Sequence, residues 1–441
     1  MTLGIGKGAA KTARTTLAMA AAGADDLTLD SAGDGTEVDA LALNSEHVYW
    51  VDYRKDRAFV GSTLREGRFK ITKFIHASEV SSVGLVWEAR DLKNGNAAVA
   101  VKTPKKPASA GDWPTNWTKE LKGLLTFSKL SHPNIMKVYG VFDERCPTAA
   151  GFGKADQHLP FIVLEHCPCT DLFSFLESRG AFQMRLGRHY FVQLMNGIDY
   201  IHDMRTSHRD IKPDNIMLDR WLTLKIGDFG FARAGDQEKG FKSVLVTKLG
   251  TPEYRAPDIY IDTPGSNVGG TDHDPRAQDI WASGVSLFVL LCRCYPFGRK
   301  DSRKGCRTFF SLLDTDDTFP PRHLKYWSTT DHYLMGNVTP GDMRAIIQSQ
   351  EQGSPGGGTA CIDLLNRMWD TQTKRRITCK QVLQHPWVTQ CSPPTQPREV
   401  EDHLKAFLAG KFRPDERSLL GQMFSLKPGT DRMLLEEHRN K

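Results

Sequence analysis

The chain has 441 residues, enough for two or three structural units at roughly 150 residues each, and its 39% apolar and 25% charged residues exclude overall disorder. Its 58 Lys and Arg against 52 Asp and Glu leave a net charge of +6, too thinly spread to argue for nucleic acid or a membrane surface as a partner. Apolar runs such as Leu287 to Cys292 fall far short of the ~20 residues of a membrane-spanning helix, and the nine scattered cysteines lack zinc-knuckle spacing and read as reduced thiols.

Residues 1–45 are rich in Ala, Gly, Thr and Asp, the composition of a flexible tail. Lys7, Lys11 and Arg14 without an acid in residues 1–24 keep an organelle transit segment open as a second reading. After a flank over 46–68, Phe69 to Ile75 alternates as a half-buried strand does, and Val83–Ala89 continues that pattern. Ala97–Val101 is a β-prone apolar run ending in Lys102. Trp117–Leu130 reads as a helix, with Leu121, Leu124, Leu125 and Leu130 near one stripe. Helical patterns then dominate, over Leu172–Glu177, Tyr190–His202, Ile280–Leu291 and Thr378–Leu383. Pro147–Gly153, Thr263–Pro275 and Gln352–Thr359 read as loops, and Glu399–Phe412 as a candidate amphipathic helix in the C-terminal tail. The pattern is α+β, a small sheet-rich lobe followed by a larger helical one.

The chemistry concentrates in His208-Arg-Asp-Ile-Lys-Pro-Asp-Asn215 and in Asp228-Phe-Gly230. Asn215 leads into a short apolar run, Ile216 to Leu218; after a few turn residues, Leu222, Leu224 and Ile226 alternate with others up to Asp228. A hairpin of that length folds the Asn215 amide back beside the Asp228 carboxylate. Two oxygen donors on a rigid hairpin suit Mg²⁺, which takes few protein oxygens alongside water and substrate phosphates. Asp210 can accept a hydroxyl proton, while Lys212 supplies positive charge to a phosphoryl group in transfer.

On these motifs the chain resembles the eukaryotic protein kinases, in their Ser/Thr branch. Val99-Ala-Val-Lys102 is similar to the strand whose lysine holds the ATP phosphates. Gly250-Thr-Pro-Glu-Tyr-Arg-Ala-Pro257 resembles the end of the activation segment, and Asp279-Ile-Trp-Ala-Ser-Gly284 the helix that anchors the catalytic loop. Arg376-Ile-Thr followed by His385-Pro-Trp387 resembles the closing helix of the calmodulin-kinase-like group. The resemblance implies a bilobal fold with an N-lobe over 69–166, a C-lobe over 167–388 and a tail over 389–441. It implies ATP and Mg²⁺, protein substrates with Ser or Thr acceptors, and an upstream activating kinase. A cytoplasmic or nuclear location is expected, or an organelle if the N-terminus is a transit segment.

By position, the resemblance makes Asp210 the group that orients and deprotonates the acceptor hydroxyl and Lys212 the one that stabilises the transferring phosphoryl. Asn215 and Asp228 hold Mg²⁺, and Lys102 contacts the ATP phosphates. Glu165 to Cys167 form the adenine hinge behind the gatekeeper Leu164, and Asp171 falls where the ribose is often contacted. His208 is expected as buried hydrogen-bonding support, and Phe229 and Trp281 as core. Lys212 and Thr251 favour Ser/Thr over Tyr as acceptor. Arg209, before Asp210, implies a switch by phosphorylation of the activation segment; Thr247 is the matching site, Ser243 a weaker one, and Arg209 and Arg233 the phosphate's partners.

The chain departs from the pattern in five places. The glycine-rich loop falls on Glu79, Ser81, Gly84 and Val86, so a single glycine of three is present, which implies weaker ATP binding or slower turnover. The position of the glutamate that pairs with Lys102 is Gly123, with Glu120 a turn earlier as the substitute. Asp258 replaces a glutamate and is expected to pair with Arg376. Insertions lie over 263–275 and between Phe297 and Leu364. The damaged glycine loop and missing glutamate define the alternative function, a catalytically weak kinase-fold scaffold that binds partners.

Overall fold

The structure, a computed structural model, describes residues 48–52, 59–77, 84–105, 121, 128, 130–146, 154, 156–169, 171–179, 181–182, 184–235, 250–256, 274–292, 296, 357–370 and 372–389. Strands β1 (Thr63–Leu64), β2 (Phe69–Ala77), β3 (Gly84–Asp91), β4 (Ala97–Pro104), β5 (Val138–Arg145) and β6 (His158–Glu165) form one antiparallel sheet in the order β1-β2-β3-β4-β6-β5. The alternation of β3 is the reason for its placement: Leu85, Trp87 and Ala89 point into the lobe's core while the residues between them are half-buried. Trp87 also donates its indole N–H to the Thr103 hydroxyl at 2.9 Å, which satisfies the one polar atom it buries. The flank over 46–68 contributes to this core, with Val51, Phe59 and Leu64 fully buried and the Phe59 ring 4.8 Å from that of Trp87.

The larger lobe is built on α1 (Leu172–Arg179), α2 (Met184–Asp203), α3 (Pro275–Cys292), α4 (Gly357–Met368), α5 (Cys379–Leu383) and α6 (Pro386–Thr389). α2 buries one face, through Leu186, Tyr190, Phe191, Leu194, Ile198 and Ile201. α3 is buried on nearly every side, as the central helix of a lobe must be. Gly284 permits its contact with the segment after α4, since a Cβ there would stand 2.8 Å from the Trp369 indole nitrogen. Two short ribbons complete the lobe, β7 (Thr206–Ser207) with β10 (Arg233–Ala234) and β8 (Ile216–Leu218) with β9 (Leu224–Ile226).

The two lobes meet the expectation of a bilobal α+β fold. One loop reading needs correction: the stretch over 352–359 gives way to α4 from Gly357. Glycine in a first turn gives up no intrahelical N–H bond, and burial of Cys361, Leu364, Leu365 and Met368 outweighs its low propensity. Of the helix expected over 117–130, Leu121 is helical and buried, and most of the remainder lies outside the described residues. Among the described residues no helix is long and apolar enough to cross a membrane, and Cys146, Cys167, Cys169, Cys292, Cys361 and Cys379 are free thiols.

Candidate active site

The loop from β7 to Asn215 carries the catalytic candidates, and Asp279 of α3 fixes its shape from below. One carboxylate oxygen of Asp279 accepts from the His208 amide and the Ser207 hydroxyl, each at 2.9 Å, and the other from the Arg209 amide at 2.8 Å. His202 reaches the first oxygen through Nε2 at 2.9 Å. Burial alone raises a carboxyl's pKa, but the hydrogen bond and charge of His202, the nearby His208 and the Arg209 amide hold Asp279 below the ordinary carboxyl range. This grip maintains Arg209 at a φ of 70°, a left-handed conformation costly for a side chain with a Cβ.

That turn presents Asp210 to a compact polar group. Asp210 Oδ1 accepts from the Thr251 amide at 2.8 Å and from the Thr251 hydroxyl at 3.0 Å. Its Oδ2 lies 2.9 Å from Asn215 Nδ2, which donates, and 3.2 Å from Lys212 Nζ. Lys212 also donates to Thr251 Oγ1 at 2.8 Å. Although burial opposes it, the Lys212 ammonium, the Thr251 bonds and His208 keep the Asp210 pKa lowered, so the carboxylate is ionised. Lys212 is likewise shielded by burial, yet Asp210, Asp214 and Asp228 raise its pKa and keep it charged. The approach of Thr251 requires Gly250, at φ +82°, where a Cβ would lie 2.5 Å from the Arg209 carbonyl oxygen.

β8 and β9 pair as the alternation predicts, Ile216 with Ile226 and Leu218 with Leu224. The turn between them is held by Asp219, whose carboxylate accepts from the amides of Trp221 and Thr223 at 2.9 and 2.8 Å. At the open end the Gly227 amide donates to the Asn215 carbonyl at 2.9 Å, which seats Asp228 beside Asn215. The Asn215 amide nitrogen is engaged by Asp210, and the Asp228 carboxylate accepts one long bond, 3.4 Å from the Gly230 amide. The amide oxygen and the carboxylate form a hard donor set that fits Mg²⁺. His208 is fully buried; it accepts from the Asp210 amide through Nδ1, donates from Nε2 to the Gly227 carbonyl at 2.8 Å, and packs against Phe229.

The nucleotide-side candidates lie on the sheet and at its edge. Lys102 on β4 is buried and stands in register between Val86 of β3 and Ile162 of β6, with Gly84 at the start of β3. Glu165 ends β6; its carboxylate reaches Lys225 Nζ at 2.8 Å and the Lys137 amide at 3.1 Å. Cys167 is half-buried, and that burial raises its thiol pKa well above the usual value. The Asp171 carboxylate accepts from the Ser174 amide and hydroxyl at 2.7 and 2.9 Å, a cap on α1 that gives it a structural role. Arg233, in register with Ser207, bears on Arg209, whose pKa is lowered by burial and then by the Arg233 charge. Thr247, Ser243, Glu79, Ser81, Glu120, Gly123 and Asp258 lie outside the described residues. Arg376 is buried, donating to the carbonyls of Asp370 and Ala277 at 3.0 and 2.9 Å.

Sequence reasoning used Thr251 only as a sign of acceptor class and missed that it joins Asp210 to Lys212; a contact across 41 positions leaves no local pattern. It also passed over Lys225, whose place on β9 was legible but whose partner was not.

A family profile described as protein kinase domain matches residues 81–388. CBL-interacting protein kinase 32 of Oryza sativa subsp. japonica is 30% identical over 262 residues, covering 59% of this chain and 50% of that protein. Putative CBL-interacting protein kinase 27 of the same organism is 26% identical over 387 residues, covering 86% of this chain and 79% of its own. Serine/threonine-protein kinase SRK2F of Arabidopsis thaliana is 28% identical over 308 residues, 68% of this chain and 72% of that protein. The chain spans about half the length of CBL-interacting protein kinases 32 and 33.

Proposed function

The chain belongs to the protein kinase domain family, and from that premise we propose that it transfers the γ-phosphoryl group of ATP to serine and threonine hydroxyls of protein substrates. The observation that carries the reading is the bonded group of Asp210, Lys212, Asn215 and Thr251, with an ionised carboxylate and a charged ammonium side by side. Asp210 accepts the acceptor hydroxyl's hydrogen bond and takes its proton as that oxygen bonds to the γ-phosphorus; the bond to the bridging oxygen breaks and ADP leaves. Lys212 offsets the charge on the moving phosphoryl, and Lys102 holds the phosphates of the nucleotide. Asn215 and Asp228 would hold Mg²⁺, which when bound neutralises phosphate charge. The hinge over 165–167 and the region of Gly84, Val86 and Asp171 would receive the nucleoside.

Regulation is part of the proposal. A phosphate on Thr247, placed there by an upstream kinase, would pair with Arg209 and Arg233, whose mutual repulsion it relieves. Relatives named for CBL interaction support a regulatory protein partner as a class.

Radiolabelled ATP with Mg²⁺ and a generic protein acceptor tests the core claim. Label should enter Ser and Thr residues, and Asp210→Asn should lower transfer about 10²- to 10⁴-fold. A folded sample bearing phospho-Thr247 that transfers nothing would overturn the reading in favour of a scaffold.

A further inference from the structure

Lys225 lies on β9, three residues before Asp228, yet its side chain leaves the metal hairpin and ends at the hinge. Its ammonium sits 2.8 Å from Glu165 Oε1 and 3.9 Å from Asp219 Oδ2. The side chains of Lys225 and Glu165 are only 12% and 17% exposed, so this pair is largely withdrawn from water, where Coulomb attraction is weakly screened. Each end is rigid. Glu165 is fixed by its second oxygen, which accepts from the Lys137 amide at 3.1 Å, and by its own amide, which donates to the Lys137 carbonyl at 2.9 Å. Asp219 is the residue that closes the β8–β9 turn. Beside the ion pair, backbone bonds cross between the lobes: the Ile226 amide donates to the Asn134 carbonyl at 2.8 Å and the Met136 amide to the Ile226 carbonyl at 2.9 Å.

From this geometry we infer that Lys225 is a positioning residue that sets the separation between the adenine hinge and the strand bearing Asp228. The inference rests on the kinase reading above, because it takes the hinge as the base site and Asp228 as a metal ligand. A nucleotide with bound Mg²⁺ touches both ends at once, so an error in their separation weakens every phosphate contact made while the base is seated. Lys225 acts through its partners, since its ammonium is directed at Glu165 and Asp219. The backbone bonds fix the height of β9 against the connector over 134–136, and the ion pair fixes the hinge against β9. Without the ammonium, the part-buried carboxylate of Glu165 and the buried one of Asp219 would lose the cation between them, and their repulsion pushes hinge and hairpin apart.

Calorimetric binding of ADP with and without Mg²⁺, which needs no turnover, tests this in the full chain. Lys225→Met should weaken binding about three- to tenfold, with the larger loss when Mg²⁺ is present. Lys225→Arg, which can still reach Glu165, should restore it. Glu165→Gln should reproduce part of the loss, and adding Lys225→Met to that background should cost less than it does alone, since the two residues act as one unit. In steady state the change should fall on the KM for ATP, with kcat and the KM for the acceptor within about twofold. Binding within twofold of wild type in Lys225→Met, additive losses in the double variant, or no recovery in Lys225→Arg would each overturn the inference. If Lys225→Met does not fold, Glu165→Gln decides: it leaves Lys225 paired with Asp219, and unaltered Mg-dependent binding there refutes the coupling. Failure of wild type to bind ADP at all would instead count against the kinase reading.

Discussion

Asp214 stands between Lys212 and Asn215, yet its side chain is exposed while Asp210, Lys212 and Asn215 are buried. Its pKa is pushed up from 3.8 to about 6; surrounding protein is the main cause, and Asp171 and Asp210 add to it against Lys212. A folded-state pKa above the unfolded value means that the folded chain binds the extra proton between about pH 4 and 6, so this group adds stability as pH falls through that window and costs stability above it. Asp214→Asn should therefore melt slightly higher than wild type at pH 7, and the two should converge below pH 4. The gain should stay under about 1 kcal/mol because water reaches the carboxylate. An acid kept at such a cost is expected to serve recognition. The KM for an arginine-containing peptide should rise in wild type as pH falls from 7.5 to 5.5 and be high and flat in Asp214→Asn. Equal melting points at pH 7, or an unaltered peptide KM, would leave Asp214 without this role.

Among the elements, those whose bonds are local were legible and those defined by distant partners were not. The β8–β9 hairpin follows from alternation around one turn, and α2 and α3 from their apolar spacing. β5 and β6 gave no such signal: Asp143, Glu144 and Arg145 make the end of β5 polar, its residues are mostly half-buried, and Pro160 interrupts β6. In the site, Asp210, Lys212, Asn215 and Asp228 stood out because a short loop and a hairpin carry all four, whereas Thr251, Lys225 and the donors to Asp279 come together only through tertiary packing. The anchor on α3 shows what such packing supplies. Asp279→Asn replaces one of two fully engaged acceptor oxygens with a donor facing the amides of the catalytic loop, and should cost about 2–4 kcal/mol on chemical denaturation. Because the Asp279 pKa lies below the ordinary value, its contribution is present above pH 4 and lost as pH falls through the folded value; the variant should lose less stability in acid than wild type does. With Arg209 released from its left-handed turn, kcat should fall more than any KM.

At the scale of the whole molecule, one hydrophobic cluster lies within the sheet, and the larger one around α2 and α3 also takes in Val138 of β5 and Ile162 of β6. The connector over 134–136 bonds to β9, and the hinge bonds through Glu165 to Lys225. A nucleotide seated between the lobes as proposed would touch Lys102 on one side and Asp228 on the other, so it would add a further crossing and should stabilise the chain as one unit. Binding to the folded state alone adds RT ln(1 + [L]/Kd), about 2.7 kcal/mol at a hundredfold excess over Kd. For a domain over residues 81–388 that amounts to a rise of roughly 4 °C in Tm. ADP with Mg²⁺ should produce a shift of that order in a thermal melt, and ADP with a chelator a smaller one. Asp228→Asn removes the carboxylate but leaves the hairpin's backbone bonds in place, so its Tm without ligand should stay close to wild type. The increment due to Mg²⁺ should vanish in that variant while the shift from ADP alone persists. A Mg²⁺ increment that survives Asp228→Asn would place the metal's protein ligands elsewhere, and a nucleotide shift absent in both proteins would remove the cleft as the binding site.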